Sequence, residues 1–156
     1  MHEHAETRDH VPFFLAGSFS YEVPDMNLLR KAANNVAKEK VGIGMLYDYQ
    51  GDVFFVNRNS LINAANAPNA QEASKHVGDL LRDLIERQIS YEISKMSARE
   101  IAPALFGEHQ QFIQRLRNCI EPKARSIGCS ILDLTIERIE TTEEWKLKLF
   151  DIVQKN

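Results

Sequence analysis

Between Met96 and Ile139 the chain sets out three elements in a fixed order, and that order narrows the folds open to it. Ser97-Ala98-Arg99-Glu100 is a capping-box sequence. The Ser hydroxyl accepts from the backbone N–H three residues on, while the Glu reaches back to the Ser N–H. From Gly107 to Ala124 the apolar residues Phe112, Ile113, Leu116, Cys119, Ile120 and Ala124 recur at helical spacing. Gly128 follows as a stop signal. Leu132, Leu134 and Ile136 then alternate with Asp133, Thr135 and Glu137, which predicts a half-buried strand with the three aliphatic residues facing inward. This succession has the character of a scaffold and presents no catalytic motif.

The rest of the chain fits the same pattern. Residues 1–10 are polar and charged and are expected to form a disordered tail. Val11 to Val23 reads as a strand, with Gly17 marking a bulge or a close contact on the face of Phe13, Leu15, Phe19, Tyr21 and Val23. Asp25 is placed to cap a helix over 26–38 that buries Leu29, Ala32, Ala33 and Val36. Val41, Ile43, Met45 and Tyr47 alternate with Gly42, Gly44 and Leu46. Tyr49-Gln50-Gly51-Asp52 is a hairpin turn, and Val53 to Val56 the returning strand. Gly42 and Gly44 leave one strand face almost bare, so a helix or another chain must approach it closely. Asn57 to Asn69, rich in Asn and Ala, reads as a loop with at most a short helical turn. A long helix is predicted from about Ala70 to Ser94, burying Val77, Leu80, Leu81, Leu84, Ile85 and Ile89. Glu86 with Arg82, and Asp83 with Arg87, are spaced to pair across its solvated side. Thr141-Thr142-Glu143-Glu144 caps a last helix, Glu143 to Gln154. Trp145, Leu149, Ile152 and Val153 form its stripe, and Leu147 and Phe150 lie off it. A helix apolar on more than one side needs a partner: its own domain, a continued coiled coil or a neighbouring subunit.

At 156 residues the chain is expected to be one domain with a core large enough to need no disulfide or metal. A net charge of −3, with Lys and Arg scattered, argues against a nucleic-acid partner. Cys119 and Cys129 lack zinc or redox spacing and read as buried thiols, although a disulfide between them is geometrically possible. No stretch reaches the ~20 apolar residues of a membrane helix, and the N-terminus has no signal-peptide core. His2, His4 and His10 offer at most an adventitious metal contact. His76 and His109 carry no triad or zinc signature, and Glu108-His109 reads as a first-turn acid beside a solvated imidazole. Asp133, Thr135 and Glu137 read as a solvated sheet face. No phosphate-cradling or dinucleotide fingerprint is present, so no cofactor and no metal are expected, and the chain is expected not to be an enzyme.

Ser97 to Ile101, Glu108 to Ser126 and Gly128 to Ile139 together resemble the second half of the stomatin–prohibitin–flotillin–HflK/C (SPFH, band 7) domain. That family shows a Thr/Ser-x-x-Glu-Ile turn, a long helix, and a Gly leading into an alternating strand. Phe19 to Asp25 is similar to the family's first strand end, and Val41 to Asn66 is extra material. The resemblance implies an α+β fold, a twisted mostly antiparallel sheet with helices packed on one side. It would span residues 11–140, with 141–156 as a C-terminal helix opening a longer helical extension. It also implies a self-associating scaffold that organises or regulates membrane proteins. Membrane contact would be made by segments outside this chain, which would then be a soluble part of a membrane-associated parent. The expected interaction residues are Arg82, Glu86, Arg87, Arg115, Arg117, Trp145 and Phe150. The alternatives are a ligand- or peptide-binding module with the Gly42–Gly44 face and the Asn57–Asn69 loop as its mouth, and an enzyme whose site is assembled only in space.

Overall fold

A computed structural model of the chain describes residues 1–39 and 42–155. The elements run β1 (His2–Glu6), β2 (Pro12–Glu22), α1 (Met26–Val36), β3 (Ile43–Tyr47), β4 (Val53–Asn57), α2 (Arg58–Ala65), α3 (Ala70–Lys95), α4 (Ala98–Leu105), α5 (Gln110–Ser126), β5 (Ser130–Glu140) and α6 (Glu143–Gln154). The fold is α+β. Its strands form a three-stranded sheet ordered β1-β2-β5 and a separate antiparallel hairpin, β3-β4. The chain divides into two compact units. The first holds Met1–Phe19, Glu86–Arg117 and Leu134–Asn156, and the second Ser20–Ile85 and Asn118–Asp133.

In the first unit, the expected disordered tail is a strand. β1 pairs antiparallel with β2, from His2 opposite Ala16 to Glu6 opposite Pro12. Backbone pairing holds it in place although its composition is polar. Ala5 and Thr7 beside it are buried, and the following residues are tied to α4. The Arg8 N–H donates to the Met96 carbonyl at 3.0 Å, and the Ala98 N–H donates to Asp9 Oδ1 at 3.0 Å. Gly17 marks a close contact, since a Cβ there would lie 2.2 Å from the Thr135 carbonyl oxygen. α4 opens with the full Ser97/Glu100 capping box. α6 is capped by Thr142 and buries Leu149, and its Phe150 ring meets Phe106 edge-on at 5.5 Å.

β5 departs from simple alternation. Leu132 is 53% exposed, while Ile131, Leu134, Ile136 and Ile139 are buried. The expectation that Leu132, Leu134 and Ile136 all face inward therefore fails at Leu132. Two consecutive outward residues, Leu132 and Asp133, shift the phase as one extra residue in a strand does. The shift falls where the strand passes from the second unit to the first, between Asp133 and Leu134. It repeats at Glu137 and Arg138.

In the second unit, Asp25 caps α1 by accepting the Leu28 N–H at 3.1 Å, and Leu29, Ala32, Ala33 and Val36 are buried. Gly128, just past α5, has φ +79° and lies so close to the start of α1 that a Cβ would sit 2.2 Å from the Asp25 carbonyl oxygen. β3 and β4 pair as expected, Ile43 opposite Asn57 and Tyr47 opposite Val53. Val41, expected at the head of that strand, lies outside the described residues. The bare glycine face is filled by a helix: α1 packs on β3, and a Cβ at Gly44 would lie 2.5 Å from Val36 Cγ1. The expected Asn57–Asn69 loop is in large part α2, eight residues long. Asn57 caps it by accepting the Ser60 N–H, and it buries Leu61, Ala64 and Ala65. The Asn residues that suggested a loop thus serve a helix start and its exposed side. α3 begins in this unit with Val77, Leu80, Leu81, Leu84 and Ile85 buried. Cys129 is buried, and burial pushes its thiol pKa up to about 12.

Candidate interaction surfaces

The β3–β4 hairpin is apolar on both faces. Gly44, Leu46, Phe54 and Val56 face inward. Ile43, Met45, Tyr47, Tyr49, Val53 and Phe55 are between 45% and 66% exposed. Met45 lies opposite Phe55 and Tyr47 opposite Val53, so these outward side chains are cross-strand neighbours and form one continuous patch. The outward strand positions carry no charge; Asn57 is the polar one, opposite Ile43. The hairpin is firmly mounted. Asp48 Oδ1 accepts the N–H of Gln50 at 2.9 Å and of Asp52 at 3.0 Å, which fixes the turn. Its buried Oδ2 makes no hydrogen bond and faces Lys123 Nζ at 3.7 Å. Sequence reasoning expected a helix or another chain against the glycine face, which α1 supplies at Gly44, and did not single out the outer face. The missed signal was Val53-Phe54-Phe55-Val56, a strand with no polar face.

The interaction residues expected from sequence fall on three helices: Arg82, Glu86 and Arg87 on α3, Arg115 and Arg117 on α5, Trp145 and Phe150 on α6. Arg82 belongs to the second unit and pairs with Asp79. Glu86, Arg87, Arg115, Arg117, Trp145 and Phe150 belong to the first. Arg87 is exposed, and Glu86 and Arg117 are half-buried. Arg115 is structural: its Nε donates at 2.9 Å to Glu92 Oε2, a carboxylate only 2% exposed. Lys95 Nζ lies 3.3 Å from the other oxygen, and Gln88 donates to it at 3.1 Å. On α6, Leu147 is 69% and Phe150 47% exposed. Trp145 is half-buried with Lys148 Nζ 4.7 Å from its ring centroid. Leu147 and Phe150, three residues apart, thus give the first unit an apolar strip on one side of α6, while Trp145 lies nearer the buried Leu149.

An open groove of about 770 Å³ runs along α4 and α5, with Met96, Ile101, Ala104 and Phe112 as its apolar lining and Glu100, Glu108 and Arg115 as its charges. Its lining holds no Ser, Thr, Cys or His. The Ser97 N–H and hydroxyl bonds, against a small cost of burial, hold the Glu100 carboxyl below the usual range, helped by Arg8 and Arg115. At the expected binding mouth Val36 occupies the Gly44 face and α2 replaces most of the Asn57–Asn69 loop, and an open pocket is lined by Arg30 and Ala33 of α1 with Ile62, Ala65 and Pro68. Among the described residues no group of three or more His, Cys, Asp or Glu could hold a metal ion. No described helix is long and apolar enough to cross a membrane. No protein-family model, curated protein or solved structure matches the chain.

Proposed function

We propose that the chain is a non-catalytic assembly domain of the SPFH type, which self-associates and organises or regulates membrane proteins at a membrane surface. The observation that carries this reading is α6. The helix commits Leu149 to the core of its own unit, while on its other side Leu147 stays 69% exposed and Phe150, one edge against Phe106, 47% exposed. Large apolar side chains grouped this way on a helix mark an interaction surface, and aromatic anchors dominate the energy of such contacts. The charges around them set orientation and partner choice more than affinity.

Sedimentation velocity tests the reading. Trp145→Ala, Phe150→Ala and Leu147→Glu each weaken self-association by about tenfold or more, while Lys146→Ala, an exposed charge on the same helix, leaves it unchanged. Equal profiles for all four variants would contradict it. Arg115→Ala is not a fair comparison for the surface, because it strips the buried Glu92 of a partner.

A further inference from the structure

The hairpin patch lies outside both the SPFH resemblance and α6, and it has a physical argument of its own. Monomeric proteins rarely leave a contiguous apolar patch larger than a few hundred Å² in water. Six large side chains at about half exposure present roughly 700 Å², taking ~150–250 Å² for a fully exposed large side chain. A standard interface buries about 800 Å² per partner, so two such patches come close to what a stable dimer needs. The outward strand positions are uncharged, so the strand faces themselves bring no like charges together when the patch stacks on a copy of itself. The inward face is already filled by α1 and α2, and Asp48 and Lys123 hold the hairpin base in place. Little ordering is therefore left to be lost on binding. The chain has a net charge of −3 and no basic run, which disfavours an anionic membrane as the occupant.

We propose that the outer face of the β3–β4 hairpin is a docking site for a second copy of this chain. The two hairpins pack face to face about a two-fold axis. Met45, Tyr47, Val53 and Phe55 form the buried centre, and Ile43 and Tyr49 lie towards the rim. Such an interface is isologous, the same patch serving both copies.

The test is sedimentation velocity of the full chain over a wide concentration range, with far-UV circular dichroism to verify folding. Wild type sediments as a dimer or larger. Met45→Glu and Phe55→Glu weaken association by about a hundredfold or more. Phe55→Thr, which keeps strand preference, weakens it in the same direction. Tyr91→Glu, at a comparably exposed aromatic on α3, has no effect. Wild-type association in the folded Met45 and Phe55 variants would overturn the hairpin site and leave the α6 reading standing. Loss confined to these variants, with the α6 variants unaffected, would uphold the hairpin and remove α6. A wild type that stays monomeric at every concentration overturns the second copy as occupant. If that monomer floats with phosphatidylcholine or phosphatidylserine vesicles, a lipid surface takes its place.

Discussion

A buried carboxylate destabilises a protein unless charges and hydrogen bonds replace the water it gives up. Glu92 has Arg115, Lys95 and Gln88 around it. Arg115→Ala takes one of these partners from that carboxylate, leaving Lys95 and Gln88 among those that remain, and is expected to cost about 2 kcal/mol, below the 3–5 kcal/mol typical when a buried charge loses its whole partner. Glu92→Gln in the same background recovers part of the loss, and urea unfolding of the single and double variants measures the coupling. This pair joins residues 23 apart on different helices, so nothing in local spacing announced it, and Arg115 read as a surface charge. Asp9 carries a second residue-scale prediction. Burial raises its pKa, but the bonds from the Thr7 hydroxyl and the Ala98 N–H outweigh that and, with Arg8 nearby, hold it below its ordinary value of 3.8. A folded-state pKa below the unfolded one means that the ionised form favours folding. Its contribution is complete above 3.8 and is lost as pH falls through the lower folded value. Thermal melts from about pH 6 down to about pH 2 should show Asp9→Asn less stable than wild type at the upper end and converging with it at the lower. A constant gap across the range would contradict this.

At the scale of elements, caps and turns were the most legible features. Asp25, Ser97 and Thr142 each cap the helix their sequence promised, because a cap needs only a side-chain oxygen and the next few backbone N–H groups. Gly44 and Gly128 were legible as close approaches or stops. Gly128→Ala would combine a left-handed backbone with a Cβ 2.2 Å from the Asp25 carbonyl oxygen, and is expected to lower stability by at least about 2 kcal/mol in urea unfolding. A variant within about 0.5 kcal/mol of wild type, the range of ordinary surface changes, would contradict the packing described. Elements whose stability comes from elsewhere in the chain were illegible. β1 is polar and exists through its pairing with β2. α2 hides its three buried residues among Asn and Ser. β5 looked like a plain alternating strand because Leu132, an aliphatic residue in phase with Leu134 and Ile136, gave no local sign that it would face outward with Asp133. The hairpin was legible as a hairpin, and Gly44 as the side a helix approaches, but Val53 to Val56, apolar throughout, did not say that its outer face would stay uncovered.

Across the whole molecule, both compact units are built from discontinuous stretches, and β2, α3, α5 and β5 each contribute residues to both. Each unit also has an apolar surface that its own core does not use, on α6 in the first and on the hairpin in the second. Of these, α6 was visible in the sequence as a helix with apolar residues off its main stripe, whereas the hairpin face emerged only with the pairing register. Two such surfaces on one chain are what an assembly domain requires, and self-association is the property on which that reading stands. Light scattering coupled to size exclusion, run on the wild-type chain from dilute to concentrated solution, measures it most directly. The account predicts a mass above that of one chain which falls towards it on dilution. A mass equal to one chain at every concentration would contradict it.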